Sequence, residues 1–457
     1  MKILASLLVA AISIVPMLGV AAKPKPFGPT EWPQYRMNAT HNAVFENGSP
    51  TLPDRHFKTR DPVRATPVIV GDHLYVGDHL SGGLFAFDVL TGDLEWGNDN
   101  PYWRHAPNWV HTDMVSVDGR IYLGYGNRVF KNADVRGTGA SGVMAIDPKT
   151  GATLWQHPTE GEVMPTPAYW HGDILAATGA GRLLALDART GKLLWQVKLP
   201  GWVSMSSPAI KGDTLYVGAQ NAVVAVDLKA HKLLWQYDEQ GSFTDVSPAV
   251  SAHDVVVITA EKYHTFMTPE ENRRWPDARQ YVEFVYGFDG RTGKLLWKTL
   301  MGYGPEQSDN TSGAPTIADG RVYIGSPYTD SFFCFDVDTG RKIWEYRVNT
   351  PIKGAPVVHG GLVFFGDTQG YLHVLVAATG RRPHDRYGNP IPKRKLGGSL
   401  TAAKTVALAP GGPVIINQNL IVGSQDDFVY SVSIPQWLGR PIGSADGATA
   451  ATSSAKH

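Results

Sequence analysis

An aspartate, a turn reading Thr-Gly or a degenerate form of it, and a tryptophan eight residues after the aspartate recur six times along this chain. The pairs are Asp88/Trp96, Asp147/Trp155, Asp187/Trp195, Asp227/Trp235, Asp289/Trp297 and Asp336/Trp344. Five carry Thr-Gly between them, and the fourth reads Ala230-His231 instead. A seventh copy keeps Thr379-Gly380 but has His384 where the tryptophan should stand. Repetition at roughly 40-residue spacing restricts the chain to a solenoid, an array or a propeller.

A second element precedes each phrase: a proline opening a short apolar strand, a turn, and a second strand. Clear copies begin at Thr66-Pro67, Ser207-Pro208, Ala314-Pro315 and Ala355-Pro356, each followed ten residues after the proline by Gly77, Gly218, Gly325 or Gly366. Pro167, Pro248 and Pro413 open three more, and Val110-His111-Thr112-Asp113-Met114-Val115 opens an eighth with Asp113 read in the proline slot. Strands rich in Val, Ile, Leu and Tyr between Gly/Asp/Asn turns describe four-stranded antiparallel meanders. The expected fold is all-β: an eight-bladed β-propeller whose tryptophans fill the gaps between blades. The last repeat has three strands after Pro413 and no fourth. Arg55-His56-Phe57-Lys58-Thr59-Arg60 is expected to supply it, so that the N-terminal segment completes the last blade and removes exposed edges.

Residues 1–22 read as a secretory signal peptide, with Lys2, an apolar run from Ile3 to Val15, and Val20-Ala21-Ala22 before the cleavage point. Residues 23–440 then form one propeller domain, and 441–457 an Ala/Ser/Gly-rich tail. No later apolar run is long enough to span a membrane. A periplasmic or secreted location is expected, without a lipid anchor. Lys+Arg and Asp+Glu balance at 42 each, which gives no reason to expect nucleic acid as a partner. Cys334 is the sole cysteine, so no intramolecular disulfide forms, and its apolar strand reads as a buried thiol.

The phrase pattern, with Glu31-Trp32-Pro33-Gln34-Tyr35-Arg36 before the first blade, resembles the PQQ-like quinoprotein repeat family. The resemblance covers residues 31–437 and implies the propeller fold. It leaves activity open, because that family includes PQQ-dependent alcohol dehydrogenases, BamB-type assembly lipoproteins and tetrathionate hydrolases. The adjacent cysteine pair of the dehydrogenases is impossible here, so neither PQQ nor calcium is carried over by the resemblance. No haem or zinc motif is present either.

In a propeller the loops entering the innermost strands line an axial mouth. Here they offer Arg64, His111 with Asp113, Glu162 with Met164, Trp202 with Met205, Asp245, Asp309 with Asn310, Lys353 and Lys404. Such a convergence of cations, carboxylates and aromatics suits a small molecule. Asp309 and Asp113 are the candidate acid/base groups; Arg64, His111, Trp202, Asp245, Lys353 and Lys404 are the candidate substrate-binding groups. Three insertions depart from the minimal blade: Asp99–Val110; Glu261–Phe284, with a short helix expected at Thr268-Pro269-Glu270-Glu271; and the basic stretch Arg381–Lys404, a solvated loop or a contact surface for an anion, an acidic partner or a second subunit. Three functions remain in play. The first is an enzyme without PQQ that hydrolyses a small anion, as a tetrathionate hydrolase does; the others are a BamB-like scaffold and a PQQ dehydrogenase in which Trp202 stacks beneath the quinone.

Overall fold

A computed structural model describes residues 25–79, 81–98, 110, 113–127, 129–263, 280–305, 313–397, 407–408 and 410–443. The signal peptide expected at 1–22, the helix expected at Thr268-Pro269-Glu270-Glu271 and residues 444–457 lie outside the described residues. Among the described residues the chain is all-β, with strands in seven hydrogen-bonded sheets and one five-residue helix, Ile434–Leu438.

The expected strand order holds. In the first meander Val68–Val70, His73–Gly77, Leu84–Asp88 and Leu94–Asn98 pair antiparallel in sequence. The aspartate ends the third strand and folds the turn: Asp88 Oδ1 accepts the amides of Leu90 and Thr91 at 2.7 and 2.9 Å. Asp147, Asp187, Asp227, Asp289 and Asp336 do the same. This local bond is why aspartate recurs ahead of each turn.

The sheets number seven rather than eight because one runs through two phrases. Ala209–Lys211, Thr214–Asp227 and Lys232–Ser242 continue through the single pair Ser242↔Glu261 into Val255–Tyr263, Gln280–Asp289 and Leu295–Pro305. In the last sheet Arg55–Lys58 pairs antiparallel with Phe428–Ser433, as expected, and Val44–Phe45 pairs parallel with Val414–Ile416 on the other side. The basic insertion is more than a loop: Arg394–Lys395 returns to pair with Tyr371 and Leu372 as a short fourth strand.

First strands of successive sheets stand side by side, from Val115–Val117 round to Val414–Ile416. Apolar side chains fill the space between sheets, as where Leu175, Leu183 and Val197 meet Leu215, Val217 and Val224. Cys334 is buried in Ser331–Asp336, and burial pushes its thiol up to about 12.

The tryptophans join one sheet to the next. Trp96, Trp155, Trp235, Trp297 and Trp344 donate through Nε1 to the carbonyls of Pro148, Ala188, Gly290, Val337 and Ala377, at 2.7–3.1 Å. Each acceptor follows the aspartate position of the next phrase. The turn glycine of that next phrase lies under the indole: a Cβ on Gly191, Gly293, Gly340 or Gly380 would sit 2.5–2.6 Å from the ring of Trp155, Trp235, Trp297 or Trp344. The degenerate turn obeys the same geometry, since His231 adopts φ 52° and stacks flat on Trp195, with centroids 4.4 Å apart. Arg55 stands in the tryptophan position of the last sheet and donates to the Thr91 carbonyl.

The segment after Pro26 makes a second set of bonds that the repeat pattern does not announce. It crosses the first strand of every meander in turn. Gly28 N donates to Gly71 O; Trp32 and Ser116 exchange bonds; the amides of Tyr169, Val250, Ile317 and Ile415 donate to the carbonyls of Pro33, Ala39, Thr40 and Ala43. Ile210 and Val358 donate to the side-chain oxygens of Gln34 and Asn42. These strands would otherwise present open inner edges, and each unmet buried amide would cost about 1–3 kcal/mol.

Gly340 and Gly320 share left-handed backbone (φ +67° and +70°), but a Cβ on Gly320 meets nothing within 4 Å. Gly320→Ala should therefore cost only the conformational penalty, and Gly340→Ala should cost about 1–3 kcal/mol more through overpacking against Trp297. Denaturant unfolding of the two variants measures the difference; equal losses would contradict the indole platform.

Candidate functional site

The strand register corrects the placing of Asp113. Val115 faces Tyr122 as Val68 faces Tyr75 and Ala209 faces Tyr216, so Met114 occupies the proline slot and Asp113 the residue before it. Its equivalents are Thr66, Thr166, Ser207, Ser247, Ala314, Ala355 and Gly412. The first four, with Asp113, bind one another round the axis. Thr66 N donates to Asp113 Oδ1 (2.7 Å), Asp113 N to Thr166 Oγ1, Thr166 N to Ser207 Oγ and Ser207 N to Ser247 Oγ (each 3.0 Å). The carboxylate thus does a hydroxyl's job in this belt and adds a titratable group.

The three small members leave room on the far side, and Arg36 fills it. Arg36 is fully buried, and its guanidinium donates to the carbonyls of His41, Pro356, Gly411 and Pro413 at 2.7–3.0 Å. Burial, followed by the Arg36 charge, holds His41 down to about 3, so its Nδ1–H donates to Pro315 O at 3.1 Å. Burial raises the neighbouring Tyr35 phenol well above its ordinary value, with Asp113 adding to the effect.

Above this floor lies an axial cavity of about 40 Å³. Arg64, Asp113, Asp245, Met164 and Met205, drawn from five separate mouth loops, line it together with Tyr35, Thr166, Ser207 and Ser247. Gly218 lets the loop carrying Asp245 approach, since a Cβ there would lie 2.1 Å from Phe243 O. Asp113 is 2% exposed, and burial pushes its carboxyl up to about 7 despite the opposing pull of the Thr66 amide and Arg36. A carboxyl poised there exchanges a proton near neutrality, and Arg64 supplies the positive charge.

Two expected members fall elsewhere. Trp202 packs edge-on against Phe130 and over Arg136, whose Nε bonds Glu162 at 2.9 Å. The loop at 129–139, absent from the sequence expectations, holds the indole and Glu162 through Phe130 and Arg136, and neither is among the residues lining the cavity. Lys353 lies beside Gly313 rather than on the cavity wall. Asp309, Asn310, His111 and Lys404 lie outside the described residues. Among the described residues no group of His, Cys, Asp or Glu is arranged to hold a metal ion. The hydroxyl members were missed by one residue, though the run of Thr-Pro and Ser-Pro pairs marks them. Arg36 carries no such mark.

The repeat-family model described as outer membrane protein assembly factor BamB matches residues 139–383 and 282–433. The chain belongs to this PQQ-like repeat family. Tetrathionate hydrolase of Acidithiobacillus ferrooxidans is 27% identical over 414 residues, spanning 79% of this chain and 80% of that protein. The assembly factor BamB of Burkholderia pseudomallei is 26% identical over 144 residues, 31% of each chain. In three dimensions the quinohemoprotein alcohol dehydrogenase of Comamonas testosteroni matches 88% of this chain and 80% of its own with a TM-score of 0.61 at 15% identity, a likeness of β-propeller fold.

Because the Asp113 carboxyl is held above its unfolded value of 3.8, its protonated form stabilises the fold at low pH, and that contribution fades as pH rises from about 4 to about 7. Asp113→Thr keeps the belt acceptor and removes the titration. The stability of the variant relative to wild type should then rise over this window, by at most on the order of 4 kcal/mol. Urea unfolding across the pH range checks it, and a constant difference would assign the belt carboxyl an ordinary acidity.

Proposed function

We propose that this chain is an exported hydrolase of the tetrathionate hydrolase type, acting on a small dianion at the axial mouth without PQQ. The observation that carries the reading is the extent of the match: the tetrathionate hydrolase aligns over 79% of this chain and 80% of its own, whereas the aligned BamB covers 31%. We infer that the seven-stranded sheet is two blades, since it holds both Asp227/Trp235 and Asp289/Trp297, and that Arg55–Lys58 closes an eight-bladed ring. Residues 1–22 would direct export.

In this reading Arg64 holds one anionic end, and Asp113 acts as the proton donor. A neutral Asp113 does not repel a dianion, and below about 7 it has a proton to give to the sulfur leaving group as water attacks. Met164 and Met205 offer polarisable contacts to sulfur. The cavity holds about three waters' volume, the size of one anionic head group, with the rest of the substrate extending outward. Asp309 is the alternative acid/base group, Asp245 completes the wall, and His111, Lys353 and Lys404 are further candidates for the rim. Against PQQ, in this reading, stand Tyr35 and Arg36, which fill the axis beneath the cavity, and Trp202, which is not among its lining residues.

A second reading, a BamB-like scaffold binding protein partners through its insertions, is favoured by the description of the matching family model.

Turnover of tetrathionate by the purified protein, with and without PQQ and calcium, separates the readings. Activity without PQQ is expected, falling as pH rises through about 7. Asp113→Asn should lower kcat by roughly 10²-fold or more and abolish that alkaline limb. Activity only with PQQ, or none at any pH, would overturn the proposal.

A further inference from the structure

One tryptophan position is left without its indole. Tryptophans face Ala86, Ala145, Ala185, Ala225, Gly287 and Cys334 on the third strands, and Arg55 faces Ser431. The equivalent residue of the remaining sheet is Val374, which pairs with Phe364 as Cys334 pairs with Tyr323. Its short outer strand reaches only Tyr371 and Leu372, so among the described residues nothing pairs along the outer side of His373–Leu375.

The joint to the last sheet is made in reverse. Trp437, from the helix Ile434–Leu438, donates through Nε1 to Pro392 O at 3.1 Å and packs on Phe364. The indole has moved to the other partner. On the opposite side, beside Val374 and against Tyr346–Asn349 of the preceding sheet, lies a cavity of about 230 Å³. Arg347, Arg382 and Lys393 line it, over a floor of Val374, Leu375 and Ile391, and no carboxylate is among the lining residues.

The cations are partly held in place. Arg347 Nε bonds Asn349 Oδ1 at 3.0 Å, which leaves both terminal nitrogens for another acceptor, and the Lys393 ammonium sits 3.7 Å from the Tyr371 ring centroid. None of the three forms an ion pair with a described carboxylate. Asp367, behind the wall, is engaged by His373 at 2.8 Å and by the amides of Gln369 and Tyr371. Asp330, the acid that senses Arg347, makes no ion pair with it.

We propose that this inter-sheet cavity is a second anion site, taking a small doubly charged oxyanion of the sulfate or thiosulfate class. Two guanidinium forks match the paired oxygens of a tetrahedral oxyanion, and the lysine adds a point charge. Three like charges around one cavity repel one another until a dianion enters, and the volume admits such an ion with water. The bound ion joins this sheet to the Tyr346–Asn349 end of the preceding one, across the same interface that Trp344 spans through Ala377. This proposal does not depend on the axial reading.

Calorimetric titration with sodium sulfate at constant ionic strength tests it, using wild type, the double variant Arg382→Gln/Lys393→Gln, and Arg64→Gln at the axial mouth. Circular dichroism confirms that each variant is folded. Saturable binding is expected in wild type and in Arg64→Gln, weakened roughly tenfold or more in the double variant. Absence of saturable binding in wild type, or its loss in Arg64→Gln with retention in the double variant, would overturn it. A crystal soaked in selenate should show its anomalous peak among Arg347, Arg382 and Lys393, and a peak only elsewhere would also overturn it.

Discussion

The contact on which everything else rests is an indole laid on a glycine. Trp155, Trp235, Trp297 and Trp344 each lie over the turn glycine of the next phrase and donate to a carbonyl of that turn, so one interaction fixes both the spacing and the rotation between sheets. Removal of such a ring typically costs about 3–5 kcal/mol. The glycine is needed twice over, for its positive φ and because any Cβ would enter the ring. Where it is lost, as at His231, a flat imidazole restores the contact by stacking. Where the tryptophan is lost, either Arg55 takes its position or Trp437 makes the joint from the opposite side.

Sheets fixed in this way would still expose their inner edges to one another across the axis. The N-terminal segment meets that need by donating or accepting one bond after another along the first strands, and it carries Arg36 into the centre. A buried guanidinium is tolerable only when its donors are satisfied. Four backbone carbonyls from three parts of the chain do so, beside a ring of slots that includes Asp113. The raised proton affinity of that carboxyl is therefore a product of the packing that closes the axis: burial lifts it, and the nearby charge restrains it.

The repeated elements were legible because they are local. The Asp-Thr-Gly turn is bonded within itself, and the alternating apolar strands and interblade tryptophan follow from the same forty residues. The pairing of Arg55–Lys58 with the last sheet was legible by elimination, since a meander lacked its fourth strand. Asp113 was found as a departure from pattern but misplaced by one position, because only register shows that Met114 stands in for proline. Arg64 and Asp245 line the cavity, whereas Trp202 packs on Phe130 and Arg136, a contact that no spacing reveals. The axial thread itself was illegible: Trp32 to Ala43 contacts strands hundreds of residues away through backbone groups, which any sequence offers equally.

In the proposed function, Arg64 and Asp113 receive one end of a sulfur dianion in the axial cavity. The most direct measurement is a crystal structure of the protein soaked with tetrathionate at acid pH, with sulfur located by its anomalous signal. Sulfur peaks within hydrogen-bonding reach of Arg64, with the nearest oxygen against Asp113, are the expected result. Well-ordered tetrathionate elsewhere on the molecule, with the axial cavity filled only by water, would contradict the account.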